Sequence, residues 1–448
     1  MEVTPQISHD PTAILEASIA KKKINRATAL QAAKSSFLGT SAEWYDYFLY
    51  GSAAALVFPR VFFGGLSPTI GTLISLATFG VAFLFRPLGG VIFGHFGDRI
   101  SRKNALVVTL LMMGLGTFFI GCLPSTAQIG VAAPILLVLL RVFQGIALGG
   151  EWGGASLLVL ESAPTEKRGL YSVATQLGVP VGQLASAGVL ALFGLLPHDQ
   201  FLSWGWRIPF LLSAVIAGIG VYVRLHQPET PHFEAVQQAH AALQYPIREV
   251  WRNKKKTTFL LIFVQLAASV GYYLFTVYSL VYVTKNLGIS PSVPLTGVLV
   301  GAGLCIFAMP IYGAISDRLG RRPVYFAGTL FIGLYAVPFF WLLDTRNNVV
   351  IIAAIAAGLV FGWALPGSIE SPVYAEQYPT RYRYTGCSVA YQGSSIFSGA
   401  PTPLLAGALV AATGATLAVS WYVIVTVVIS LACVLALKES YRFDLSKD

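Results

Sequence analysis

The sequence predicts an all-α polytopic membrane protein, with twelve transmembrane helices in two pseudo-symmetric six-helix bundles. Three observations carry that prediction. Of the 448 residues, 55% are hydrophobic and only 11% are Asp, Glu, Lys or Arg, whereas soluble domains carry about 25% charge. The apolar residues fall in long blocks, and runs of roughly 18 or more read as membrane spans. Two stretches near the middle of the first half also recur, in the same order, in the second.

Apolar blocks between charged or Pro/Gly-rich breaks run about 36–58, 69–94, 104–123, 130–155, 170–196, 207–225, 258–283, 294–315, 323–343, 348–374, 385–411 and 415–437. They divide the chain into a tail at 1–34, a bundle at 35–225, a linker at 226–257, a second bundle at 258–438 and a tail at 439–448. An even number of spans puts both termini on one side. With that side cytoplasmic, its segments hold 24 of the 30 Lys and Arg, among them Lys21, Lys22, Lys23 and Lys447. The far side holds Arg60, Arg207, Lys285 and Arg346, while Arg86 and Arg141 lie within spans. Positive residues concentrate on the cytoplasmic side of membrane proteins, so both termini are expected there.

Several function classes drop out. The net charge of +10 follows from this topology and from anionic membrane lipid, so no nucleic-acid partner is expected. The first 34 residues hold no apolar block, and the first span must serve as insertion signal. No phosphate-binding G-x-x-x-x-G-K-[ST] run occurs, which removes ATP-driven pumping. Cys122, Cys305, Cys387 and Cys433 show neither disulfide nor metal spacing, so no metal or cofactor is expected. No nucleophile–base pair marks an enzyme.

The repeat places the functional parts. Gly94-His95-Phe96-Gly97-Asp98-Arg99-Ile100-Ser101-Arg102-Lys103 follows the second span, and Gly313-Ala314-Ile315-Ser316-Asp317-Arg318-Leu319-Gly320-Arg321-Arg322 follows the eighth, 219 residues on. A second pair follows the fourth and tenth spans: Glu161-x-x-Pro164-Thr165-x-x-Arg168 and Glu376-x-x-Pro379-Thr380-x-x-Arg383. Parallel halves of this kind build transporters whose substrate site lies near the midplane between them.

These loops resemble the signature of the major facilitator superfamily, as do Arg141-Val142-Phe143-Gln144-Gly145 and Pro228-Glu229-Thr230. Glu43-Trp44-Tyr45-Asp46-Tyr47, Phe85-Arg86-Pro87-Leu88-Gly89-Gly90 and Gly149-Gly150-Glu151-Trp152-Gly153-Gly154 look like its metabolite:proton symporter family, and within it most like the shikimate permeases. The resemblance covers nearly all of 36–440. Ser101 departs from the usual glycine. The resemblance implies proton-coupled uptake of a small organic acid, shikimate or a similar monocarboxylate, by alternating access. It also implies a monomer in a bacterial inner membrane, with substrate, protons and lipid as partners. Alternatives are 2-oxoglutarate, citrate, betaine or proline as substrate, or a nutrient sensor that binds without translocating.

Ionisable residues inside a bilayer are costly and mark pathways. Glu43 and Asp46 share a face of the first span. Burial and a nearby guanidinium push a carboxyl in opposite directions, so either can be poised to exchange protons. Asp46 is the first candidate for proton coupling, the alternative being a standing salt bridge to Arg86 or Arg141. Arg141 offers a planar fork suited to a carboxylate, and is read as the anion-binding residue or else as a tether to the span-one carboxylates. Arg86 binds substrate or forms a gate pair. Glu151 and Glu370, 219 residues apart, are read as equivalent members of gating networks with Asp98–Arg99 and Asp317–Arg318. Gly94, Arg102, Gly313 and Arg321 belong to the same gates. Gln144, Gln176, Gln183, Gln265, Tyr272, Tyr273, Tyr391 and Gln392 supply candidate donors and acceptors for a hydroxylated ring.

Overall fold

The structure, a computed structural model, describes residues 26–238, 242–399, 401–443 and 445, with the backbone alone at 68–69. The basic run Lys21-Lys22-Lys23, most of the 1–34 tail and Lys447 lie outside the described residues. The first bundle comprises α1 (Arg26–Leu56), α2 (Pro68–Arg99), α3 (Arg102–Cys122), α4 (Ala132–Leu160), α5 (Arg168–Phe193) and α6 (Arg207–Leu225). The second comprises α7 (Lys255–Asn286), α8 (Ser292–Leu319), α9 (Arg321–Asp344), α10 (Asn348–Ala375), α11 (Thr380–Thr413) and α12 (Leu417–Ala436). Two short helices, Pro231–Gln238 and Pro246–Asn253, occupy the linker.

Among the described residues, eleven of these helices are long and apolar enough to cross a membrane. The exception to the expected twelve is α1. Its 31 residues reach about 46 Å, but Lys34, Glu43 and Asp46 dilute its apolar character. Its many Ser, Thr, Gly and Tyr residues, with those carboxylates, take it below the others.

Within the first bundle α1 packs on α5, α2 on α4 and α3 on α6; between bundles α2 meets α11 and α5 meets α8. Gly94 and Gly313 permit those two crossings. A Cβ on Gly94 would lie 2.7 Å from Thr385 Cα, and one on Gly313 would lie 2.9 Å from the Gly169 carbonyl oxygen. Helix α4 is regular, whereas α7 contains π-helical segments at Leu274–Tyr278 and Tyr282–Asn286, and α10 contains one at Gly358–Trp363. Such irregular turns often accompany functional sites.

The contacts between bundles also fix the register of the repeat. Asp98 accepts from the backbone N–H groups of Tyr384 and Thr385 at 3.1 and 2.8 Å, and Asp317 accepts from Gly169 and Leu170 at 2.7 and 2.8 Å. The acceptors are 219 residues apart, but the donors are 215 apart. The hydroxyls of Ser156 and Ser371, also 215 apart, meet at 3.0 Å. The offset changes in the loop before the fourth helix of each bundle, which spans 123–131 in the first half and only 345–347 in the second. Glu370 therefore corresponds to Ala155, and Glu151 to Pro366. The expected equivalence of Glu151 and Glu370 is wrong by four residues, about one helical turn or 6 Å.

Candidate functional site

A cavity with about 500 Å³ of empty volume lies between the two bundles. Of the expected substrate residues, Arg86, Gln176, Tyr272, Tyr273 and Tyr391 line it, together with Gln265. Trp44, Phe83, Ser269 and Trp363 complete much of the wall and were not singled out in the sequence. Glu370, expected in a gate, is on the cavity wall instead.

The Arg86 guanidinium lies 4.3 Å from the Phe83 ring centroid and 5.1 Å from that of Tyr47. Among the described residues no carboxylate forms an ion pair with it, and its Nε has no hydrogen-bond partner. The buried Tyr272 hydroxyl is likewise without a partner. Glu370 accepts hydrogen bonds from the amides of Gln176 and Gln265. The Gln265 Oε1 accepts in turn from Tyr374, 3.4 Å away, so its N–H face turns to Glu370. Tyr391 stacks across the bundle boundary on Trp152, with centroids 3.7 Å apart and planes 10° from parallel. Tyr47 and Tyr273 also bridge the bundles, their hydroxyls 3.1 Å apart.

Other expected ligands lie off this wall. Arg141 is wholly buried in the first bundle, where it donates to Gln144 at 2.8 Å and to the Phe79 carbonyl at 3.4 Å. Its guanidinium is 3.8 Å from the Tyr50 centroid. Gln144 donates to Thr117 at 2.8 Å, and Gln392 donates to the carbonyls of Leu148 and Gly149. Gln183 does not line the cavity. Asp46 accepts from Ser213 at 2.5 Å and forms neither expected salt bridge. Glu43 is buried within electrostatic reach of Arg86 and Arg224, with Oε2 unpartnered. The tightly packed polar interior of the first bundle holds Arg141, Gln144 and Asp46 away from the cavity, whereas Gln392 crosses the bundle boundary to the α4 backbone.

The signature loops close one end of the cavity, but with different partners from those expected. Glu151 pairs with Arg224 of α6 and accepts from Thr109 at 2.6 Å, so it reaches neither Asp98 nor Arg99. Arg99 and Arg318 are exposed. The gate arginines are Arg102 and Arg321. Arg102 pairs with Glu161, stands 3.6 Å from Asp98 and donates to the Thr380 carbonyl of the other bundle. Glu161 also pairs with Arg383 at 2.9 Å. In the second bundle Arg321 pairs with Asp317 at 2.9 Å and Glu376 at 3.3 Å. Burial, the largest single influence, would raise the Glu161 carboxyl, but Arg102, His232, Arg383 and the Thr230 hydrogen bond together outweigh it and hold the group down to about 2.

A further repeat locks these gates from outside the membrane. Glu229 accepts from Ser101 Oγ at 2.7 Å and Lys103 N at 3.3 Å, while Thr230 bonds Glu161. Correspondingly, Glu439 accepts from Arg321 N and Arg322 N at 3.1 and 3.0 Å, while Ser440 donates to Glu376 at 2.7 Å. Ser101, where glycine is usual, caps α3 by accepting from Asn104 N at 3.0 Å and also holds the linker. His232, two residues past Thr230, is buried against this cluster. Desolvation outweighs the opposing pull of Glu161 and, reinforced by Arg383, Arg168 and Arg102, brings its imidazole down to about 4. On the other side Arg168 donates to the Phe443 carbonyl at 2.7 Å, tying the tail of the second bundle to the first.

The model of the Major Facilitator Superfamily matches residues 36–400. The chain belongs to the major facilitator superfamily. It is a multi-pass membrane transporter of the secondary type, and not an enzyme. It is 44% identical over 421 residues to the shikimate transporter of Escherichia coli (strain K12), covering 92% of this chain and 95% of that protein. It is 35% identical to the proline/betaine transporter of Salmonella typhimurium, over 90% of this chain and 82% of that one. The proton:xylose symporter XylE, solved with 6-bromo-6-deoxy-D-glucose, has the same fold at a TM-score of 0.74 and 16% identity, over 94% and 98% of the two chains.

Within this superfamily chain, Glu161 and Glu376 stand in a repeated motif to which the sequence assigns no gating role, and Glu439 and Ser440 stand in none of the motifs named above. Each left a signal: the two repeated motifs differ in offset, 219 against 215, and Glu-Thr after the sixth span recurs as Glu-Ser after the twelfth.

Proposed function

We propose that this transporter couples proton entry to uptake of a small organic monocarboxylate of the shikimate class. The observation that carries the reading is Arg86, a buried guanidinium on the wall of the central cavity with no carboxylate partner of its own. A fixed cation in a bilayer is costly unless something pairs with it, and a substrate carboxylate fits its planar fork. The unpartnered Tyr272 hydroxyl, Gln176 and Gln265 offer complementary contacts to ring hydroxyls. The similarity to a shikimate transporter supports the same substrate class.

In this reading the chain works as a monomer in the inner membrane with both termini cytoplasmic, in line with the concentration of 24 Lys and Arg on that side. The bodies 35–225 and 258–438 rock about the cavity, joined by the linker 226–257. The Asp98 and Asp317 contacts hold the cytoplasmic end shut and favour the outward-facing state. A second reading, a zwitterion such as betaine or proline, is favoured by the presence of Arg86, Glu370 and aromatic walls in one cavity, and by the proline/betaine relative.

Counterflow in proteoliposomes separates these readings. Labelled shikimate exchanging against unlabelled shikimate, and not against betaine or proline, is the expected result. Exchange of betaine alone overturns the monocarboxylate reading, and binding without any exchange makes the chain a sensor.

A further inference from the structure

Each carboxylate of the membrane region meets a different set of neighbours. Glu151 has Arg224, Asp98 has Arg102 and Asp317 has Arg321. Glu43 is off the cavity wall and in reach of Arg86 and Arg224. Asp46 is also off that wall, held by Ser213. Glu370 differs from all of them. It is 2% exposed, lines the cavity and receives only neutral amide donors, Gln176 from the first bundle and Gln265 from the second. Among the described residues no arginine or lysine forms an ion pair with it. The titratable groups facing it are phenols: Tyr325 on α9, Tyr374 beside it on α10 and Tyr391 on α11. Arg86, on α2, is the charged group that shares its cavity.

From this geometry we propose that Glu370 carries the coupled proton; the assignment rests on the proton-symport reading above. The argument is one of net charge in a small, poorly hydrated space, where each uncompensated charge is expensive. The empty cavity with Glu370 ionised holds one cation and one anion and is neutral. Substrate alone adds a second anion, and proton alone leaves Arg86 without an anion on the cavity wall. Substrate and proton together restore neutrality. The two neutral states are the ones able to pass through the occluded conformation, so proton and monocarboxylate move together, one for one. On the outside a hydronium ion gives its proton to a Glu370 carboxylate oxygen, forming O–H and leaving water. On the inside the O–H bond breaks and the proton returns to water. Gln176 and Gln265 hold the carboxylate in place from both bundles, so closure of the bundles is felt at the proton site.

The test compares wild-type protein with Glu370→Gln and Asp46→Asn in proteoliposomes, reading labelled shikimate and internal pH together. One coupled proton and a pH gradient of one unit sustain about tenfold accumulation. Glu370→Gln is expected to lose that accumulation and the shikimate-dependent proton entry, whereas Asp46→Asn keeps both. Shikimate binding to detergent-purified protein, read from Trp44 and Trp363 fluorescence, covers the case of a variant that no longer moves substrate. Wild-type affinity falls as pH rises through the titration of the coupling group, and Glu370→Gln binds with a flat pH profile. Proton entry persisting in Glu370→Gln, or a binding profile that still follows wild type, overturns the assignment and leaves symport standing. Shikimate movement without proton entry in wild-type protein overturns symport itself and the assignment with it.

Discussion

Glu151 and Glu370 are both glutamates near the loop-side ends of related helices, both almost wholly buried, yet their surroundings have little in common. Glu151 is clamped by Arg224 and Thr109 inside one bundle. Glu370 sits at the boundary between bundles with two amides and an open cavity. A loop shorter by several residues before α10 puts Glu370 one turn nearer the gate than Glu151. Residue type and burial therefore do not decide what a membrane carboxylate does. The number of cations in contact with it, and whether it faces the moving boundary, do.

The sharpest way to break this comparison is to remove the cation from one side of it. Arg224→Met strands Glu151 as an uncompensated buried charge and is expected to cost about 3–5 kcal/mol, read as a drop in thermal stability or loss of monodisperse protein. Arg224→Met with Glu151→Met recovers most of that loss. Glu370→Gln breaks no ion pair and is expected to leave the melting temperature close to wild type.

Next in size is the linker. An undocked His232 binds a proton near 6.5, and the buried ring only near 4. Between those values the undocked state binds more protons, so docking weakens as pH falls from about 6.5 to about 4, by up to about 3 kcal/mol. Protease cleavage in the linker should rise over that range, and His232→Phe should flatten the profile.

The two buried arginines of the first half offer a third contrast. Arg86→Lys replaces a planar fork with a point charge and is expected to weaken substrate binding about 10- to 100-fold, the value of a hydrogen bond to a charged group. Arg141→Met lowers stability instead, with substrate affinity unchanged in the folded fraction, as equilibrium binding would show. The smallest effect belongs to Asp317→Asn, which weakens a charged cap on α5 worth about 1 kcal/mol. That is about a fivefold shift between open and closed gates, measurable as labelling of Ser395→Cys from the loop side.

Much of this was legible in the sequence. Long apolar blocks and sparse charge set the fold class, and the paired loops located both gates. Arg86, Gln176 and the tyrosines Tyr272, Tyr273 and Tyr391 reached the cavity as expected. Arg141 did not, because position along a span gives depth but not which way a side chain faces among six packed helices. Trp44 and Trp363 escaped notice because buried tryptophans usually serve as packing. The expected equivalence of Glu151 and Glu370 fails for a simpler reason: the repeat has two offsets, 219 between Asp98 and Asp317 and 215 between Glu161 and Glu376.

The tail that follows α12 carries a practical consequence for anyone handling the protein. Glu439, Ser440 and the Phe443 backbone are fastened to the gate, and Leu445 is completely buried. Clipping by a carboxypeptidase, or a purification tag joined at residue 438, would spare every span and still give a monodisperse preparation. Its conformational equilibrium would differ from that of the intact chain. A tag belongs at the amino end, or beyond Asp448 on a flexible spacer.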